Sequence, residues 1–293
     1  MNKPCKFAQV PECEVLKRLW KKGLMPCEKH CSGKPRFPSY VYVAENKWEG
    51  CLIAHSVLTL LEYIKMRRRL PKRILSKFNK GEDIILQAFH DFAKLSKQYR
   101  CGRLSQHNVA SAIIVSNIIK SITNNRRNAY ICGLACFFHH EPRHWRVMDV
   151  DFLALDIFNT IRNTEVAFEE DDIKFYLDCM AEWFHALGFQ NLAQEVKNLP
   201  LSVFKLNYNL RLHIKKMRNN LGKQLSDFKY AMVLYRYLFF ADNRAASARE
   251  GSEKYLIGKL RASTSGVVSY AKVLDTVRRE RAANEVIYLS LLD

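Results

Sequence analysis

Phe89-His90-Asp91-Phe92-Ala93-Lys94 sets an imidazole and a carboxylate side by side among apolar residues. Burying such a pair without a cation costs more than a helix gains by packing it, and the two groups together suit a divalent metal. Upstream, Glu82 and Asp83 follow Gly81, acids that favour a helix start, and Ile85, Phe89 and Phe92 recur at helical spacing. Lys94 comes four residues after His90 and three after Asp91, so a continuous helix puts its ammonium on the same face as both. The spacing predicts one helix over 82–99 that aims two ligands and a cation inward.

Outward from this stretch the apolar pattern is helical almost throughout, and no run alternates strongly enough to demand a sheet. Helices are expected near 49–67, 82–99, 105–122, 127–140, 149–162, 171–188, 202–219, 224–249 and 270–291, with Pro142, Gly188 and Gly222 as starts or stops. The fold class is therefore all-α, a helical bundle over residues 41–293 preceded by a Cys- and Pro-rich extension over 1–40. Within that extension Cys5, Cys13, Cys27 and Cys31 offer close ligands for a structural zinc ion, or else are scattered thiols.

Nine cysteines spread over 293 residues do not form the framework of a small secreted protein, so reduced thiols are expected. The N-terminal residues lack the continuous apolar core of a secretory signal, and the longest apolar stretches are too short to span a bilayer. A cytoplasmic protein with no membrane partner is the expectation. The net charge of +18 attracts polyanions in a salt-dependent manner, with nucleic acid the first candidate.

Further polar residues fall on apolar stripes. His55 shares one with Leu58 and Glu62, and His107 precedes Ala110, Ile114 and Ile118 at helical spacing. His139 and His140 end the segment containing Gly133, Leu134 and Cys136, while Asp242 follows Leu238 by four residues. Singly, each reads as a hydrogen-bonded core residue. Jointly they make an interior too polar to be tolerated unless metal ions neutralise it. After His140, Arg143, Trp145 and Arg146 combine cations with a ring on which a base can stack.

The ordered series His55, His90-Asp91, Lys94, His107, His139-His140 and Asp242 resembles the HD superfamily of metal-dependent phosphohydrolases. Within it, the series is most similar to the stand-alone nuclease subunit of CRISPR type I systems. The chain departs from that pattern at Ala93, where glycine is frequent, in its short spacing from His90 to His107, and at Ser247, which falls one position late. The resemblance implies one ion held by His55, His90, Asp91 and Asp242, and a second held by His107, His139 and His140, with Asp91 bridging. Mostly imidazole ligation favours Mn, Ni, Co or Fe, with Mg also able to support activity. Lys94 is expected either to stabilise transition-state charge or to lock Asp91 through an ion pair.

The implied activity is cleavage of single-stranded DNA, endo- or exonucleolytic, beside a separate helicase and an RNA-guided surveillance complex. Two other readings compete. One is an HD phosphohydrolase acting on nucleotides or cyclic dinucleotides, and the other a catalytically silent HD scaffold.

Overall fold

The computed structural model describes residues 37–42, 47–104, 107–139, 166–206 and 221–250. The expected helices at 149–162 and 270–291 lie outside these residues, as do His140, Arg143, Trp145, Arg146 and the cysteines Cys5, Cys13, Cys27 and Cys31. The described chain is all-α apart from one short antiparallel hairpin, β1 (Tyr40–Tyr42) and β2 (Lys47–Glu49), in the register Val41 opposite Trp48. Three-residue strands are too short for alternation to show in the sequence.

Helix α1 (Leu52–Arg67) runs through the centre, and its residues from Leu52 to Leu61 are all buried. A helix apolar on every side must be wrapped by others. On it pack α3 (Glu82–Phe89), α7 (Glu170–Ala186) and α9 (Leu221–Glu250), while α5 (His107–Thr123) and α6 (Arg126–Phe138) pair with each other and lie against α3. The short helices α2 (Lys72–Lys77), α4 (Lys97–Arg100) and α8 (Gln190–Lys197) fill connections, and α2 and α8 were too short to stand out by periodicity. Gly81 enters α3 with φ of 81°, in the left-handed region, and a Cβ there would meet Leu192 of α8 at 3.2 Å. The left-handed φ favours glycine, and a side chain there would also need Leu192 to give by a few tenths of an ångström. Among the described residues no helix is long and apolar enough to cross a membrane.

The expected helix over 82–99 is broken. α3 stops at Phe89, Asp91 adopts φ −108° and ψ 12°, and Phe92–Leu95 forms a 3₁₀ turn before Ser96 caps α4. The Ala93 N–H donates to the Ser111 side chain at 3.0 Å, and the Lys94 N–H bonds three residues back to Asp91 O at 2.9 Å, so the α-ladder cannot continue. Of the helix expected over 202–219, the described part is a 3₁₀ turn at Leu201–Phe204.

The long helices have two well-separated ends. Asp83 in the first turn of α3 meets Tyr63 near the end of α1, whereas Asp91 past the end of α3 meets His55 near the start of α1, so the two helices are antiparallel. Asn108 at the start of α5 donates to Phe137 O at the end of α6 at 2.8 Å, and the tight turn at Asn124–Asn125 joins their other ends. α9 contributes Asp227 to one pole and Asp242 to the other.

Candidate metal centre

Six side chains converge at the pole where α1 begins, α3 ends, α5 begins and α6 ends. His55, His90, Asp91 and Asp242 bring ligand atoms within 4.8 Å of one another, and so do Asp91, His107 and His139. Ligands about 2.1 Å from a common ion stand about 3–4 Å apart, so both groups have the dimensions of a coordination shell. Asp91 belongs to both. Its Oδ2 lies 3.3 Å from His55 Nε2 and 3.5 Å from His90 Nε2, while its Oδ1 lies 3.2 Å from His107 Nε2 and 3.4 Å from His139 Nε2. One carboxylate therefore presents a separate oxygen to each group. Asp242 closes the first group, 2.9 Å from His55 and 3.5 Å from His90.

Two imidazoles are oriented by the helices that end beneath them. Nδ1 of His90 contacts the Gln87 carbonyl at 2.8 Å, and Nδ1 of His139 contacts the Cys136 carbonyl, each three residues back at a helix C-terminus. A carbonyl can only accept, so each Nδ1 carries a proton, and each ring turns its Nε2 to the centre. Metal-bound histidines are held by such outer hydrogen bonds. Nε2 of His90 and Nδ1 of His55 are buried without a hydrogen-bond partner, a costly arrangement in a metal-free interior and an ordinary one at a metal site for the His90 nitrogen. The donor set of nitrogens and carboxylate oxygens fits a divalent transition metal.

Electrostatics agree with the geometry. Burial opposes ionisation of Asp91, but Lys94 and the neighbouring histidines outweigh it and hold the carboxyl well below the usual range. Asp242 is likewise lowered against burial by His55 and His90. Burial alone would discharge His55, yet its bonds to Asp242 and Asp91 raise its pKa. At His107, burial and the Lys94 charge push the pKa down to about 4. Lys94 Nζ sits 2.6 Å from Asp91 Oδ2 and is itself buried.

No family model, curated protein or solved structure matches the chain. What the centre can do must come from its own chemistry: buried His and Asp groups that could hold a metal ion. Exposure then tells which side is open. The side chains of His90, His139 and Asp91 are at most 1% exposed, against 11% for His107 and 12% for Asp242, so among the described residues the centre is least covered on the α5 and α9 side.

Of the expected ligands, the structure brings together His55, His90, Asp91, His107, His139 and Asp242, with Lys94 against Asp91. Several supporting residues carried no sequence signal. Tyr99 sets its ring edge-on to His107 at 5.2 Å, lies 5.8 Å from Lys94 Nζ, and donates to Ser39 O at 3.1 Å. The Tyr176 hydroxyl donates to Ala88 O at 2.6 Å and pairs with Ser56 Oγ at 2.8 Å, fastening α7 beside both His90 and His55. Cys136 contacts His90 O at 3.4 Å, but burial pushes its thiol well up, so it remains a neutral structural group.

Proposed function

We propose that the protein is a divalent-metal-dependent phosphodiester hydrolase of the HD kind that cleaves single-stranded DNA, in the setting of CRISPR interference beside a separate helicase and an RNA-guided complex. The observation that carries the reading is Asp91, which turns one oxygen to each of two ligand groups. A carboxylate so placed suits a pair of ions, and two ions close together suit in-line displacement at phosphorus.

Bound ions would supply Lewis acidity at the phosphate oxygens and a water whose pKa is lowered from about 15.7 towards about 7. The chain's own groups do the rest. His90 and His139, fixed through Gln87 and Cys136, orient the lone pairs. Lys94 holds Asp91 in place and adds positive charge beside the point where negative charge develops on the phosphoryl group. Phe89, Phe92 and Tyr176, buried and packed ring against ring, flank the His90-Asp91 step on its apolar side. The chain's charge of +18 supports a polyanionic substrate over a single nucleotide.

The test is to incubate the protein with circular single-stranded DNA, duplex DNA and a nucleotide panel, with manganese and then with chelator. The reading expects manganese-dependent opening of the circle, reduced by about 10²–10³-fold or more in Asp91→Asn, the scale for losing a group that stabilises the transition state. Turnover of nucleotides with the circle intact would instead establish a nucleotide phosphohydrolase. Inertness towards every substrate would establish a scaffold.

A further inference from the structure

Two basic segments far apart in sequence meet at the pole of the bundle opposite the metal centre. Between Glu62 and Glu82 the chain contains no acidic residue, and Arg68, Arg69, Lys72, Arg73 and Lys80 are exposed there. Between Asp91 and Glu141 there is again no acid, and Lys120 and Arg126 are exposed at the turn joining α5 to α6. The segments are fastened together. Lys80 Nζ donates to Thr123 O at 3.3 Å, and Asn128 Nδ2 donates to Lys77 O at 2.8 Å and to Glu82 Oε1 at 2.9 Å. α9 joins them, with Lys77 Nζ 4.9 Å from the Tyr230 ring centre and Arg127 Nε 2.8 Å from Asp227.

Three acids at this pole are already engaged. Asp83 takes Tyr63 and Arg67 at 2.7 and 2.6 Å, Glu82 takes Asn128, and Asp227 takes Arg127, and all three carboxylates are buried. Among the described residues the exposed acids Glu169, Glu170 and Asp171 open α7, the helix that meets Arg100 and Ser56 at the metal pole, while Asp178, Glu182 and Glu195 are exposed further along α7 and on α8. None of these exposed acids lies within the two basic segments themselves. His55 and Arg67 are separated by about 18 Å of helix at about 1.5 Å per residue, so the basic pole is no part of the metal centre.

We propose that this pole, formed by the end of α1, α2 and the α5–α6 turn, is a docking surface for a nucleic-acid phosphate backbone, remote from the metal centre. Arg and Lys there can engage phosphates as guanidinium forks and point charges. An acidic protein partner fits less well. Protein interfaces are centred on apolar or aromatic anchors, whereas the exposed residues from Arg67 to Lys80 are charged or polar except Pro71. The surface belongs to a different pole and uses none of the metal ligands, so it stands whether or not the hydrolytic reading holds.

The test is fluorescence anisotropy of labelled single-stranded DNA, duplex DNA and single-stranded RNA with the full chain, in chelator, over a salt series. Arg69→Gln, Lys72→Gln and Arg73→Gln are combined in one variant. Lys174→Gln, Lys197→Gln and Lys205→Gln, all exposed elsewhere, are combined in a second as a control for net charge. The pole variant is expected to bind at least one of the three probes about tenfold or more weakly, with its log–log salt slope reduced by about 2–3, which is about 0.7–0.9 per lost contact. The control is expected to bind like the parent protein. Equal losses in both triple variants, or none in either, would overturn the proposal, as would a poly-glutamate peptide that binds the pole more tightly than every nucleic-acid probe. The three probes separate a DNA strand, a duplex and an RNA as the source of the backbone. The cleavage assay with Asp91→Asn reads the other pole separately.

Discussion

His55 faces two carboxylates, Asp242 at 2.9 Å and Asp91 at 3.3 Å, and the ion pairs leave its pKa raised despite burial. A metal binds only the neutral imidazole. Its arrival must therefore displace the proton that the two carboxylates favour on His55 in the metal-free protein, and affinity for that ion rises with pH as His55 loses this proton. His107 behaves oppositely, because a pKa of about 4 leaves it already neutral near pH 6.5. Metal titration at pH 6.5 is expected to release a proton from the protonated fraction of His55, the larger fraction since its pKa is raised, and none from His107. Calorimetry in two buffers of different ionisation enthalpy reads this directly, and identical heats in both buffers would refute it. At this scale much of the centre was legible in the sequence. The histidines and Asp242 fall on apolar stripes where an uncompensated polar group is expensive. Which oxygen of Asp91 serves which group, and the carbonyls of Gln87 and Cys136 that select the tautomers, depend on side-chain rotation and on where helices end, and neither is written in spacing.

Individual elements show why. The Lys94–Asp91 pair was expected on one continuous helix, and it forms instead across a 3₁₀ turn, because Ser111 captures the Ala93 N–H and the chain turns to aim Asp91 at both groups. A contact three residues apart survives either geometry, so sequence separation gave the pair without giving the helix break. α1, α5 and α6 were foreseen within a few residues, since long apolar helices carry a strong signal, whereas α2, α8 and the hairpin are too short to carry one. Tyr176 of α7 was silent for a different reason. It reads as one more aromatic on an apolar face, yet its hydroxyl links the Ala88 carbonyl near the end of α3 to Ser56 of α1. Tyr176→Phe leaves that buried carbonyl without this donor and is expected to lower stability by about 1–3 kcal/mol. Urea unfolding of the metal-free protein measures it. An unchanged midpoint and slope would mean that the hydroxyl does not fasten α7 to the centre.

Across the whole molecule the question is how a fold tolerates a pole this polar when no metal is bound. The large apolar core, running from Leu52 through the aromatic cluster of Phe89, Phe92, Tyr176 and Phe204, does not depend on the centre. Within the centre Lys94 and the protonatable His55 partly offset Asp91 and Asp242. The protein is therefore expected to remain helical in chelator, unlike a small domain whose metal supplies its folding energy. Metal then adds stability by binding the folded state alone: about 2.7 kcal/mol per ion when the free ion is at about 100 times its dissociation constant. For a domain of this size about 1 kcal/mol moves the melting temperature by about 2–4 °C, so each ion is expected to raise it by about 5–10 °C. Because Asp91 serves both ligand groups, Asp91→Asn should suppress most of the manganese-induced shift, whereas His139→Gln, confined to one group, should spare the part due to the other. Thermal melts of the three proteins with and without manganese decide the point. Equal shifts in Asp91→Asn and His139→Gln would show that the two groups do not share a ligand and that the centre holds a single ion.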